Sequence, residues 1–163
     1  MEYHAKSKNS LSFDVTKDDK LVGSLYYKSW FKFNAEVLVA NGSSYQVEPK
    51  GFWEATVELK EGEKVLLNFQ MNWNGEIIVK TYFDDLEKGY IFKHTGFFKE
   101  SFILIDQEGT ELLVMKPHLN WKKVNYEYQI STSDTFEALS YEEILLMSSV
   151  HCANYYMSMM MAQ

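Results

Sequence analysis

Apolar and polar residues alternate along most of this chain in short runs, the period-two pattern of half-buried β-strands. Three of these runs fold back on themselves in similar surroundings. Phe13-Asp14-Val15 turns through Lys17-Asp18-Asp19-Lys20 and returns as Leu21 to Tyr27. Ala55 to Leu59 turns at Glu61-Gly62-Glu63 and returns as Val65 to Phe69. Phe102 to Ile105 turns at Asp106-Gln107-Glu108-Gly109 and returns as Leu112 to Met115. A tryptophan follows each returning run at a similar distance (Trp30, Trp73, Trp121), and a further strand-like run follows each tryptophan. The pattern predicts a threefold structural repeat. Asn41-Gly42 and Asn74-Gly75 add two hairpin signals, since both residues of each pair tolerate positive φ. Asp84 to Gly89 reads as a polar loop before Tyr90-Ile91-Phe92. Together the runs predict roughly ten to twelve short strands between about residues 11 and 131. A propeller needs at least about four blades, so three units favour a closed barrel or a sandwich.

The pattern changes after Ser133. Ser140-Tyr141-Glu142-Glu143 has the form of a capping box, with two acids placed at the positive end of a helix dipole. From Ile144 to Gln163 no Asp, Glu, Lys or Arg occurs, although a surface helix normally carries charge on its outer face. A helix over about 141–161 therefore belongs in a core, in a membrane or at an oligomer interface. Its length suits a membrane span, but its polar residues Ser148, His151, Asn154 and Ser158 share one stripe and no Lys or Arg flanks it. Burial accounts for more. Side chains alone fill a barrel of about eight strands, whereas one of about twelve needs something the width of a helix. Met157 and Met159 to Met161 suit irregular packing, and Ser148, His151 and Asn154 then require hydrogen-bond partners from the wall. The fold expected is mainly β: residues 1–163 as one closed antiparallel barrel of about twelve strands around a central hydrophobic C-terminal helix.

Charge limits the partners. The formal net charge of −7 would repel nucleic-acid phosphates. Cys152 is the only cysteine, so no internal disulfide forms, and the start Met1 to Lys6 has no apolar run; both suit a cytoplasmic protein. No glycine-rich phosphate loop, zinc-type spacing or His-Glu-x-x-His motif occurs. His4, His94, His118 and His151 are scattered, and His151 and Cys152, adjacent on a helix, point about 100° apart and form no nucleophile–base pair. Asp84, Asp85 and Glu87 offer oxygen donors for calcium without the alternating spacing of a calcium loop, so a polar turn is expected. No catalytic residue, metal ligand or cofactor follows from the sequence, and a non-enzymatic module is expected. The alternative is a lipocalin-like carrier with a small apolar ligand inside the barrel. Gly51-Phe52-Trp53 resembles the lipocalin Gly-x-Trp signature but stands far into the chain.

The segment Asp106 to Lys116 has an acidic turn, a glycine and an apolar strand ending in a basic residue. With the barrel-and-helix pattern from about Leu11 to Met161, it resembles the tubby C-terminal domain fold shared by phospholipid scramblases and LURP-one-related proteins. That resemblance implies a surface that binds membrane phosphoinositides through basic residues; the acidic balance of this chain departs from it. The basic cluster that fits is Lys116, His118, Lys122 and Lys123 around Trp121, where cations beside an aromatic ring would meet a phosphate headgroup. The partner expected is thus a phospholipid headgroup or a protein, with no transmembrane span.

Overall fold

The computed structural model describes residues 1–9, 11–29, 34–50, 56–96, 100–120 and 125–161. Twelve strands follow one another round a closed wall. They are β1 (Glu2–Asn9), β2 (Ser12–Lys17), β3 (Lys20–Tyr27), β4 (Ala35–Val39), β5 (Ser44–Lys50) and β6 (Thr56–Glu61), then β7 (Lys64–Met71), β8 (Ile77–Thr81), β9 (Lys88–Thr95), β10 (Ser101–Asp106), β11 (Glu111–Asn120) and β12 (Asn125–Thr132). Each pairs antiparallel with its sequence neighbours, and β1 closes the ring against β12 with Ala5 opposite Tyr128. Closure leaves no unpaired sheet edge.

The sheet begins at Glu2 rather than near residue 11. β1 alternates faithfully, but its inward residues are Tyr3, Ala5 and Ser7, two of them too small or polar to mark a strand by hydrophobicity.

The threefold repeat is present, and backbone geometry defines it more sharply than the tryptophans do. Each of the hairpins β2–β3, β6–β7 and β10–β11 carries a register shift near its turn, after Val15, Leu59 and Leu104 respectively. The returning strand holds one extra residue there: Val22, Leu66 or Leu112. Its carbonyl accepts a backbone bond from a later segment in all three units, from Ala40 at 2.8 Å, Tyr82 at 2.9 Å and Ser133 at 2.9 Å. The bulge bends the strand and increases its twist, which helps the wall curve shut. It also lets two successive side chains face the core, as with the buried pairs Leu66-Leu67 and Leu112-Leu113. The repeated unit is therefore four strands: β2–β5, β6–β9, and β10–β12 with β1. Trp73 is fully exposed, while Trp30 and Trp121 lie outside the described residues.

Two helices follow the wall. Short α1 (Asp134–Glu137) buries Phe136, and α2 (Glu142–Met161) runs through the bore. The capping serine is Ser133, whose Oγ accepts from Phe136 N–H at 3.2 Å at the head of α1. Ser140 makes no such bond among the described residues. Instead α2 starts from a tight turn in which Glu142 N–H donates to Leu139 O at 3.3 Å.

Contacts from all round the ring place α2 at the centre. His151 meets Tyr27 of β3 and Phe69 of β7, Tyr156 meets Phe92 of β9 and Phe102 of β10, and Asn154 meets Tyr128 of β12. Every residue from Leu145 to Asn154 is buried, which explains why none is charged. The helix lacks threefold symmetry, so the wall adapts to it. Where the other units place Leu67 and Leu113, the first has Gly23; a Cβ there would lie 3.0 Å from Met147 Sδ and 2.9 Å from Leu38 O.

Candidate functional site

The polar stripe on α2 meets the wall in one connected chain. Tyr128 Oη donates to Asn154 Oδ1 at 2.8 Å, Asn154 Nδ2 donates to Tyr27 Oη at 3.1 Å, and Tyr27 Oη lies 2.9 Å from His151 Nδ1. Tyr27 Oη thus accepts from Asn154 and shares one hydrogen bond with His151 Nδ1, whose direction the imidazole tautomer sets. Burial lowers the His151 pKa to about 4 and pushes the Cys152 thiol up, so imidazole and thiol both stay uncharged at neutral pH. Burial also raises Tyr27 and Tyr128. An uncharged chain of this kind fixes the depth and rotation of the helix, with no activated nucleophile in it. The expectation that His151 and Asn154 would find partners in the wall holds; Ser148 Oγ has no hydrogen-bond partner among the described residues.

Little space remains beside that chain. The cavity lined by His151, Cys152 and Tyr155 of α2 with Val57, Phe69, Met71 and Ile77 measures about 20 Å³. That is room for about one water molecule.

Two members of the sequence-predicted cluster stand on the outer wall among the described residues, and register adds neighbours to them. Lys116 and His118 are exposed on the same face of β11, and Trp121, Lys122 and Lys123 lie outside the described residues. Register places Lys116 opposite Gln129 and His118 opposite Glu127, and on the far side of β12 places His4 opposite Gln129 and Lys6 opposite Glu127. Two cross-strand rows result, Lys116–Gln129–His4 and His118–Glu127–Lys6. Glu127 is the one carboxylate in them; its oxygens lie 3.4 Å from His4 Nε2 and 3.6 Å from Lys6 Nζ. The cluster thus gains His4 and Lys6, residues that sequence reasoning missed because β1 was missed. Their signal was the alternation of Glu2, His4, Lys6 and Lys8 against Tyr3, Ala5 and Ser7.

A groove of about 320 Å³ opens near the β10–β11 turn, lined by Lys88, Gly89, Tyr90, Asp106, Gln107 and Glu108, with Leu112, Thr135 and Leu139. Its carboxylates are partly committed: Asp106 Oδ1 accepts from Glu108 N–H at 2.9 Å and Thr110 N–H at 2.8 Å within its own turn. At its back Tyr90 and Tyr141 share a hydroxyl hydrogen bond of 2.6 Å. The turn motif was legible in sequence, but the groove was not, because α1 and β9 complete it.

Asp84 and Asp85 sit in a 3₁₀ turn at positive φ, and Glu87 lies 3.9 Å from Lys80, an arrangement that matches a polar turn. Among the described residues no cluster of His, Cys, Asp or Glu is placed to hold a metal ion, and no helix is long and apolar enough to cross a membrane. No family model matches the chain, and neither a curated protein nor a solved structure matches it.

Proposed function

We propose that the protein is a non-enzymatic binding module that works from its outer wall and takes anionic phospholipid headgroups at the β11–β12–β1 face. The observation that carries this reading is the occupied bore: among the described residues α2 fills it, and the space of about 20 Å³ beside His151 leaves no berth for an acyl chain there. Recognition therefore falls to the outside. There Lys116, His118, His4 and Lys6 flank Glu127, with Glu2 at the start of β1 and Trp121, Lys122 and Lys123 following in sequence. Each lysine held near an anionic leaflet is worth about 1 kcal/mol, so a few suffice for reversible attachment despite a net charge of −7. The resemblance to the tubby C-terminal domain fold points to the same ligand class.

Vesicle sedimentation tests the reading. Wild-type protein is expected to pellet with phosphatidylcholine vesicles containing a phosphoinositide and not with phosphatidylcholine alone. Lys6→Glu/Lys116→Glu and Lys122→Glu/Lys123→Glu are each expected to weaken binding at least about tenfold, and added salt to do the same. Equal recovery of wild type and both variants would remove this face from consideration. Saturable uptake of a fluorescent fatty acid would instead support the carrier alternative.

A further inference from the structure

The two ends of the barrel are unlike, and chain order assigns every connection to one of them. The turns β2–β3, β4–β5, β6–β7, β8–β9 and β10–β11, with segment 133–141, span the end where α2 begins. They hold nine Asp or Glu and no Lys. The connections β1–β2, β3–β4, β5–β6, β7–β8, β9–β10 and β11–β12 span the end where α2 finishes. They hold five Lys, three Glu and all four tryptophans of the chain. Strand residues, divided at the strand midpoints, keep the same sense. The half of the barrel where α2 begins carries fifteen acids and six lysines in all, and the other half eight acids and ten lysines. The formal charge of −7 thus divides into −9 and +2. Trp30, Trp53 and Trp121 belong to their connections by chain order and lie outside the described residues, so Trp73 alone shows how its end is built.

Asn72 closes the β7–β8 turn. Its N–H donates to Glu76 O at 2.8 Å, its Oδ1 accepts from Asn74 N–H at 2.9 Å and Glu76 N–H at 3.0 Å, and its Nδ2 donates to Glu76 Oε1 at 3.1 Å. Gly75 follows at φ 75°, a conformation its missing Cβ permits. A turn bonded in this way needs nothing from Trp73, and the fold holds that large aromatic side chain fully exposed in water. Leu11, Lys28 and Met159 are exposed at the same end. An indole standing clear of the fold among lysines has the composition of a membrane-interface anchor: the ring sits at headgroup level while lysine stems keep their charge at the phosphates. Charge then fixes the orientation. An anionic leaflet attracts the half at +2 and repels the half at −9, which turns the barrel end-on. The 20 residues of α2 span about 30 Å between the two ends. The screening length at physiological salt is about 8 Å, so the distant acids offer little opposition to contact.

We infer that the barrel seats end-on against an anionic bilayer, with Trp73 in the headgroup layer and the acidic end turned to water. The inference rests on the headgroup reading above and adds an apolar anchor and an orientation to it. The two agree in geometry, since Lys6, Lys116 and His118 stand on the halves of β1 and β11 that lead to the Trp73 end.

Matched changes at the two ends test it, with phosphatidylcholine vesicles containing a phosphoinositide as the probe. Trp73→Glu is expected to weaken pelleting at least about tenfold and Trp73→Phe to keep most of it. Leu86 is 59% exposed in the β8–β9 connection at the acidic end, and Leu86→Glu is expected to leave pelleting unchanged. A second readout needs no disruptive variant. The difference in emission between wild type and Trp73→Phe reports Trp73, and it is expected to shift to the blue on vesicles and to be quenched by lipids brominated on the acyl chain near the headgroup. Wild type that pellets with Trp73 unquenched overturns the end-on seating and leaves the headgroup reading standing. So does wild type whose pelleting is equally sensitive, or equally indifferent, to Trp73→Glu and Leu86→Glu. Wild type that fails to pellet at all removes the headgroup reading and the seating together.

Discussion

Two polar groups of this barrel lie on opposite faces of the same wall and behave as opposites. Inside, Tyr27, His151, Asn154 and Tyr128 share three bonds of 2.8 to 3.1 Å and carry no charge. Outside, His4 and Lys6 stand 3.4 and 3.6 Å from Glu127, with His118 and Lys116 on the adjacent strand. In the bore, water cannot replace a lost partner, so each group is tied to the next. On the wall water replaces any partner, and an exposed ion pair is worth at most about 1 kcal/mol. The interior polar residues therefore belong to the architecture, whereas the exterior ones are at liberty to bind something else.

The sharpest way to break this contrast is to remove one link on each side. Asn154→Leu keeps the branching at Cγ but adds volume and deprives the Tyr128 and Tyr27 hydroxyls of a buried partner, with an expected loss of about 2–4 kcal/mol in urea unfolding. Lys6→Ala, taken as its outer counterpart, is expected to change stability by no more than about 0.5 kcal/mol. Comparable losses in the two variants would erase the distinction.

A smaller effect comes from pH. An unfolded chain takes a proton on His151 near pH 6.5, while the folded chain holds the ring neutral until about pH 4. Protonation in that window favours the unfolded state, so this contribution is complete above about pH 6.5 and is lost as the pH falls toward 4. Its upper bound is about 3 kcal/mol, at 1.36 kcal/mol per unit. His151→Gln keeps an acceptor for Tyr27 without a titrating ring, and is expected to flatten the fall in urea midpoint between those pH values. An unchanged slope would show that the imidazole is already solvated.

Much of this architecture was legible in the sequence, for reasons that particular residues make clear. The absence of charge from Ile144 onward leads to the bore, because a helix that touches wall on every side has no outer face to mark. The Asp18-Asp19 turn and the Gly62 turn were equally clear; both need positive φ, and both have it. β1 escaped because Ala5 and Ser7 face inward where the pattern expects large residues. The Ser140-Tyr141-Glu142-Glu143 signal marked the start of α2 correctly, whereas the short α1 headed by Ser133 escaped, because four residues give too little periodicity to read. The basic face was half legible: Lys116 and His118 are near neighbours in sequence, but His4 and Lys6 join them only through barrel closure.

The central claim is that α2 is enclosed by the wall, and Cys152 reports on it directly. Its thiol is buried, and the chain has no other cysteine to confuse the reading. With a thiol reagent in excess under native conditions, modification of Cys152 is expected to be slow and to accelerate with urea in step with global unfolding, since no smaller opening frees the middle of the helix. Prompt, stoichiometric modification in native buffer, indifferent to urea below the unfolding transition, would contradict an enclosed helix.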